Sequence, residues 1–150
     1  EAEAVIELRL PWPPSVNDYW GSFVPPGTRT VRRFLTEKAK KFREDVGWLV
    51  IQAGRPRFAA DAEILLDITL HPPTRQRRDA DNFNKGVWDA LEHAEVFADD
   101  AQVQSYRVTK GAVVSGGAVI VKIWQREVMN AESQGSGETQ SLFAAEAISR

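Results

Sequence analysis

The sequence predicts an α/β (α+β) fold, a small single-domain mixed sheet of element order β-α-β-α-β-β with two helices packed on it. Two segments repeat apolar residues at helical spacing, four read as strands, and Pro- or Gly-rich stretches separate them. With 150 residues, 43% hydrophobic and 27% charged, the chain can bury a real core in one domain.

The first strand is "VIELRL", where apolar and polar residues alternate from Val5 to Leu10 until "PWPPS" stops it, because proline cannot donate to a ladder. Residues 1–4, "EAEA", carry no functional weight. Residues 12–33 then read as a long loop rich in Pro, Gly, Asn and aromatics, and loops of that length are commonly functional. From Leu35 to Ala53 the residues Ala39, Phe42, Val46, Leu49, Val50 and Ala53 form one helical face, with Thr36 as N-cap and Lys38, Lys40, Lys41 and Arg43 on the other face. "AEILLDITLH", residues 62–71, is a strand closed by Pro72 and Pro73. A second helix is expected over 82–94, capped by Asp81, with Phe83, Val87, Ala90, Leu91 and Ala94 on its inner face. Two last strands, about 102–110 and 117–125, flank "GAVVSGG", whose glycines suit a hairpin. Past Met129 the composition turns to Ser, Gly and Glu, which divides the chain into a domain over 1–128 and a flexible tail over 129–150.

Composition removes several functions. Without cysteine there is no disulfide, thiolate metal site or cysteine nucleophile, so metal donors reduce to His71, His93 and carboxylates. No run approaches the roughly 18 apolar residues of a membrane span, and the start lacks the pattern of a signal peptide, so the cell interior is expected and no membrane partner. The net charge of −2 hides an uneven distribution: nine basic residues face three acidic ones between Arg29 and Arg57, and Arg75, Arg77, Arg78 and Lys85 form a second basic group. A polyanion held around an acidic pocket produces this pattern, and so does ordinary solvated surface.

The chemistry-bearing stretch is "RRDADNFNK", followed by a second acidic pair in "VFADDAQV". Asp79 lies between a strand end and a helix start, where carboxylates from another loop can join it, and alternation in an extended segment would turn Asp79 and Asp81 to one side. Asp81, Lys85 and Asp89 are spaced four apart on one helix stripe, where a plain ion-pair ladder is the expected role of Asp89. Carboxylates brought together need a cation or a shared proton, and an all-oxygen cluster suits Mg²⁺ or Mn²⁺. Metal ions so held would serve phosphodiester hydrolysis, with Lys85 stabilising charge on the phosphate. The spacing alone does not separate this reading from a surface run. His71 follows a strand and His93 ends a helix, where capping is expected. Trp48, Trp88 and Trp124 are expected in the core or a dimer interface, and Trp12 and Trp20 are candidates for DNA contact.

"RRDADNFNKGVWDAL" followed by "VFADDAQV", together with the opening "LPWPPSVNDYW", resembles the RusA family of Holliday junction resolvases over about residues 6–125. The resemblance implies a homodimeric endonuclease, dependent on Mg²⁺ with Mn²⁺ as a substitute, that resolves branched DNA, the four-way junction, by paired symmetric nicks in recombination and repair. It implies a cytoplasmic location in a bacterium or a phage's host. Carried over by position, Asp79, Asp81 and Asp100 would bind the metal and, with Lys85, form the catalytic set, while Arg75, Arg77, Arg78 and Lys85 would contact DNA. Asp99 matches the first acid of the Asp-Asp pair, and Asn82 and Gln102 fall on signature positions where capping or outer support is expected. "TRTVRRFLTEKAKKFRED" follows the family's helix only loosely, and the tail has no counterpart in the family pattern. Two alternatives are a metal nuclease of broader taste for branched DNA and a junction-binding protein without cleavage. Within the tail, "TQSLF" at 139–143 resembles a degenerate sliding-clamp peptide with its Gln one place late at Gln140, which implies a clamp partner.

Overall fold

The computed structural model describes residues 5–126, so the tail and its clamp-like peptide lie outside the described residues. These described residues form six strands and three α-helices: β1 (Ile6–Leu10), α1 (Val16–Tyr19), β2 (Trp20–Phe23), β3 (Arg32–Leu35), α2 (Glu37–Gln52), β4 (Ile64–His71), α3 (Asp81–His93), β5 (Val103–Lys110) and β6 (Ala118–Gln125). A 3₁₀ turn, Asp100–Gln102, precedes β5. The main sheet has the order β1-β6-β4-β5 and is mixed, as expected. β4 pairs parallel with β5 through the α3 crossover and antiparallel with β6, which in turn pairs antiparallel with β1.

The central position of β4 follows from its composition, since Ile64 to Ile68 are all buried and only a strand with neighbours on both sides can bury so continuous a run. Its Leu66, Ile68 and Leu70 join Leu8, Val121 and Ile123 in a face covered by Phe42, Val46 and Val50 of α2 and by Val87, Ala90 and Leu91 of α3. Apolar burial on this scale dominates stability, at about 1.5–3 kcal/mol for each large side chain fully removed from water. Thr36 caps α2 as expected, its Oγ1 accepting from the Ala39 N–H at 3.2 Å.

Three details depart from the sequence reading. The segment 12–33 is not one open loop: α1 and the β2–β3 hairpin form within it, pairing Trp20 with Leu35 and Gly21 with Phe34. These strands are too short to show a period, and the ring of Phe34 lies where a Cβ on Gly21 would stand, 2.2 Å from its Cζ. The helix cap is Ala80 without a side-chain bond, and Asp81 is the first helical residue, where its charge complements the helix N-terminus. Residues 111–117 do not close a hairpin, because β5 and β6 flank β4 on opposite sides. They arch over its end instead, Gly111 N–H donating to Leu70 O at 2.7 Å and Val114 N–H to Pro72 O at 3.0 Å. Of the tryptophans expected in the core or a dimer interface, Trp124 is buried and Trp48 is 59% exposed. No helix among the described residues is long and apolar enough to cross a membrane.

Candidate functional site

α3 carries the site because five of its residues fall at helical spacing on one stripe: Asn84, Lys85, Trp88, Asp89 and Glu92 line one side of a cavity of about 450 Å³. Val16, Trp20 and Arg33, from α1 and the hairpin, form a second wall. Asp100 and Tyr106, from the 3₁₀ turn and β5, form the third. The crossover therefore brings Lys85 and Asp100, two of the four expected catalytic residues, to one cavity. Asp79 and Asp81 stand exposed at the N-terminal end of α3 and do not line it.

Asp99 and Asp100 play different parts. The Asp99 carboxylate accepts from the Ala101 N–H at 2.9 Å and caps the 3₁₀ turn. Gln102, nearly buried, secures the turn from inside: its Oε1 accepts from the N–H groups of Ala98 and Asp99 at 2.8 and 3.1 Å, and its Nε2 donates to the carbonyls of Ala59 and Ala62 at 2.8 and 3.0 Å. Asp100 is thus held on a fixed backbone with no hydrogen bond or ion pair from its carboxylate to another described residue, and Gln102 has the supporting role expected of it.

Asp89 is not part of an ion-pair ladder. Arg43 of α2 grips it with two bonds of 2.7 Å, from Nε and Nη2, and the Tyr19 hydroxyl donates to the same carboxylate. A planar guanidinium matches two carboxylate oxygens better than a lysine one turn away, so Arg43 wins over Lys85. Burial pushes the Asp89 carboxyl up, but the hydrogen bonds of Arg43 and Tyr19 outweigh it and the net shift is below the ordinary range. Burial and then Asp89 push the Tyr19 phenol up, well above its usual value. A group depressed in the folded state adds stability above its unfolded pKa and loses it as pH falls through the folded value. Replacing Asp89 by Asn is therefore expected to cost about 2 kcal/mol at pH 7, with the gap to wild type closing in urea titrations only as pH falls below the ordinary carboxylate range. Asp89 is a fastener between α1, α2 and α3.

The loop 72–80 leads from β4 into α3. Arg78 organises it, donating to Thr74 O, Gln76 O and Thr74 Oγ1 at 3.0, 3.1 and 2.9 Å, with its guanidinium 5.9 Å from the Trp12 ring centroid. Arg75 and Arg77 are exposed, with no hydrogen bond to another described residue, and remain available to a polyanion.

The donor chemistry at Asp79, Asp81 and Asp100 suits a hard divalent cation, since all are exposed carboxylates with no ion pair to a described residue. Among the described residues, no three His, Asp or Glu side chains stand close enough together to hold a metal ion as a group. Glu92, which the sequence reading passed over, adds negative charge beside Asp100: its carboxyl is pushed up by burial first, then by Asp100, Asp99 and Asp89, against a hydrogen bond from the Asp100 backbone. The spacing of Asn84, Trp88 and Glu92 could have revealed that stripe, but nothing in the sequence joins Arg33 or Tyr106 to it.

Residues 11–124 match the family model described as "Endodeoxyribonuclease RusA". Over 118 residues the chain is 34% identical to the crossover junction endodeoxyribonuclease of Enterobacteria phage HK97, which spans 79% of this chain and 92% of the relative. The proteins of the same name from Enterobacteria phage 82 and from Escherichia coli are each 34% identical over 116 residues, 77% of this chain and 91% of the relative. The α3 crossover, with Lys85 and Asp100 across one cavity, is the framework of a chain that belongs to the RusA family of endodeoxyribonucleases.

Proposed function

We propose that the protein is a Mg²⁺-dependent structure-specific endodeoxyribonuclease that, as a homodimer, resolves four-way DNA junctions by paired symmetric nicks in the cell that holds its DNA. The observation that carries the reading is the convergence of Lys85 and Asp100 in a cavity walled by cationic and aromatic residues, Arg33, Trp20 and Tyr106. Asp79, Asp81 and Asp100 would hold the metal by closing on it from the separate positions described above, and the metal when bound would supply an activated water and charge neutralisation at the phosphate. Lys85 places a fixed positive charge beside the scissile phosphate and offsets the charge that builds on it as water attacks. Asp100 keeps its position because Gln102 and Asp99 have fixed the turn beneath it. Two subunits related by a two-fold axis would bring equal sites to symmetry-related strands of the junction. Relatives are named for crossover junctions, which supports that substrate here.

The test is cleavage of a synthetic mobile junction beside a flap and a linear duplex. Paired nicks at symmetric positions in the junction, abolished by chelator while gel-shift binding persists, are expected. Equal cutting of flap and junction would replace the reading with a broader branched-DNA nuclease.

The loop arginines divide in their contributions. Arg75→Ala and Arg77→Ala should each reduce the slope of log affinity against log salt by about 0.9, as expected for one lost phosphate contact. Arg78→Ala should reduce the slope less, because its guanidinium is already committed within the loop. Filter binding at four salt concentrations measures all three, and an unchanged slope for Arg75 and Arg77 would take them out of the interface.

A further inference from the structure

The Asn84 side chain lines the cavity between Lys85 and Trp88, is 8% exposed, and has no hydrogen-bond partner among the described residues. Its amide atoms are not sealed from solvent and so are open to a ligand in the cavity, while the indole Nε1 of Trp88 beside them is buried without a hydrogen-bond partner among the described residues, a condition that folded proteins seldom leave unmet. Tyr106 stands across the same cavity, edge-on to Trp88 at 4.8 Å between centroids and 89° between planes, yet it is 53% exposed. One of its faces has no protein ring against it among the described residues. Trp20, with the Arg33 guanidinium 4.9 Å from its ring centroid, closes the opposite wall. An exposed aromatic face, an unpaired amide and a cationic rim together suit a flat heteroaromatic group joined to an anion. Lys85 and Asp100 lie in the same cavity, so the anion it would accompany is the phosphate to be cut.

We infer that this cavity receives an unstacked nucleobase next to the scissile phosphate, with Tyr106 stacking on the base and Asn84 reading its edge. The inference rests on the junction-cutting reading above and deepens it: the pocket would make cleavage depend on the base at one flanking position. A carboxamide offers a neighbouring donor and acceptor, which matches the paired groups on a base edge. Stacking tolerates any base and so supplies affinity, while the amide supplies choice.

A cycle between the pocket and the base tests this apart from catalysis. Binding is measured in chelator, where no strand is cut, on junctions carrying a single abasic site at each position near the crossover in turn. Wild-type protein should lose about tenfold in affinity at one position, near the low end of what one base stacked on an aromatic ring contributes. Tyr106→Ala should bind the intact junction and that abasic junction within about twofold of each other, because the stacked contact is already gone, whereas Asn84→Ala should keep the abasic penalty and lose the preference among bases at that position. Tyr106 is exposed, so its variant keeps the test valid should Asn84→Ala fold poorly. Abasic penalties equal in wild type and in the Tyr106 variant at every position would overturn the pocket while leaving junction resolution standing. Failure of wild-type protein to prefer the junction over a duplex of equal length would overturn both.

Discussion

Asp100→Asn protein is expected to fold, to bind a four-way junction at least as tightly as wild type, and to cut it about a thousandfold more slowly, an increase of about 4 kcal/mol in the barrier. The substitution preserves shape and removes one negative charge from a site that must face phosphates, so affinity should hold or rise. Asp99→Asn is the contrasting variant. Its side chain caps a turn, and Asn caps almost as well as Asp, so cleavage should stay near the wild-type rate. Asp79→Asn and Asp81→Asn should follow Asp100→Asn if they belong to the same ion. Lys85→Ala should lose rate and some affinity together, because the lysine is also a phosphate-attracting charge. Single-turnover cleavage and gel shift on one junction substrate separate these outcomes. An Asp100→Asn protein that nicks junctions at the wild-type rate in Mg²⁺ would sink the assignment of the site.

Gln102→Ala is expected to cost about 3 kcal/mol, because it strands the carbonyls of Ala59 and Ala62 and the N–H groups of Ala98 and Asp99 at a nearly buried position. In a domain of this size that should lower the melting temperature by about 10 °C. Cleavage measured well below the new melting temperature should also fall, since Asp100 rides on the turn that Gln102 fastens. Circular dichroism melts and a cleavage assay at low temperature check the two halves. An unchanged melting temperature would mean that water replaces the side chain without loss.

Much of the fold was legible because its signals are local. Thr36 announced a helix start, the run from Ile64 to Ile68 announced a strand, and the face from Phe83 to Leu91 announced a buried helix. Pairing was not legible. Nothing in "GAVVSGG" says that β4 will slip between the strands it joins, and the four-residue strands of the hairpin are too short to carry a period. At the site, Lys85 and Asp100 could be named from their signature positions, and the structure sets them across one cavity. Asp89 was misread because its true partners, Arg43 and Tyr19, lie 46 and 70 residues away, while Lys85 lies one turn off and is the weaker match. Sequence spacing sees neighbours along a helix and cannot see which distant guanidinium has the better geometry.

The pairing of β1 with β6 sets Ile6 beside Ile123 and Leu10 beside Val119. Among the described strands a ribosome releases β1 first and β6 last, so β1 waits for β6, its one partner among them, until nearly the whole domain has been synthesised. Until then β4 also has one unpaired side, a ready template for the same strand of another copy. Chains interrupted before residue 118 should accumulate as aggregates, whereas the site-bearing crossover from β4 to β5 is already complete in them. In the cell, it is the late arrival of β6 that renders the product safe.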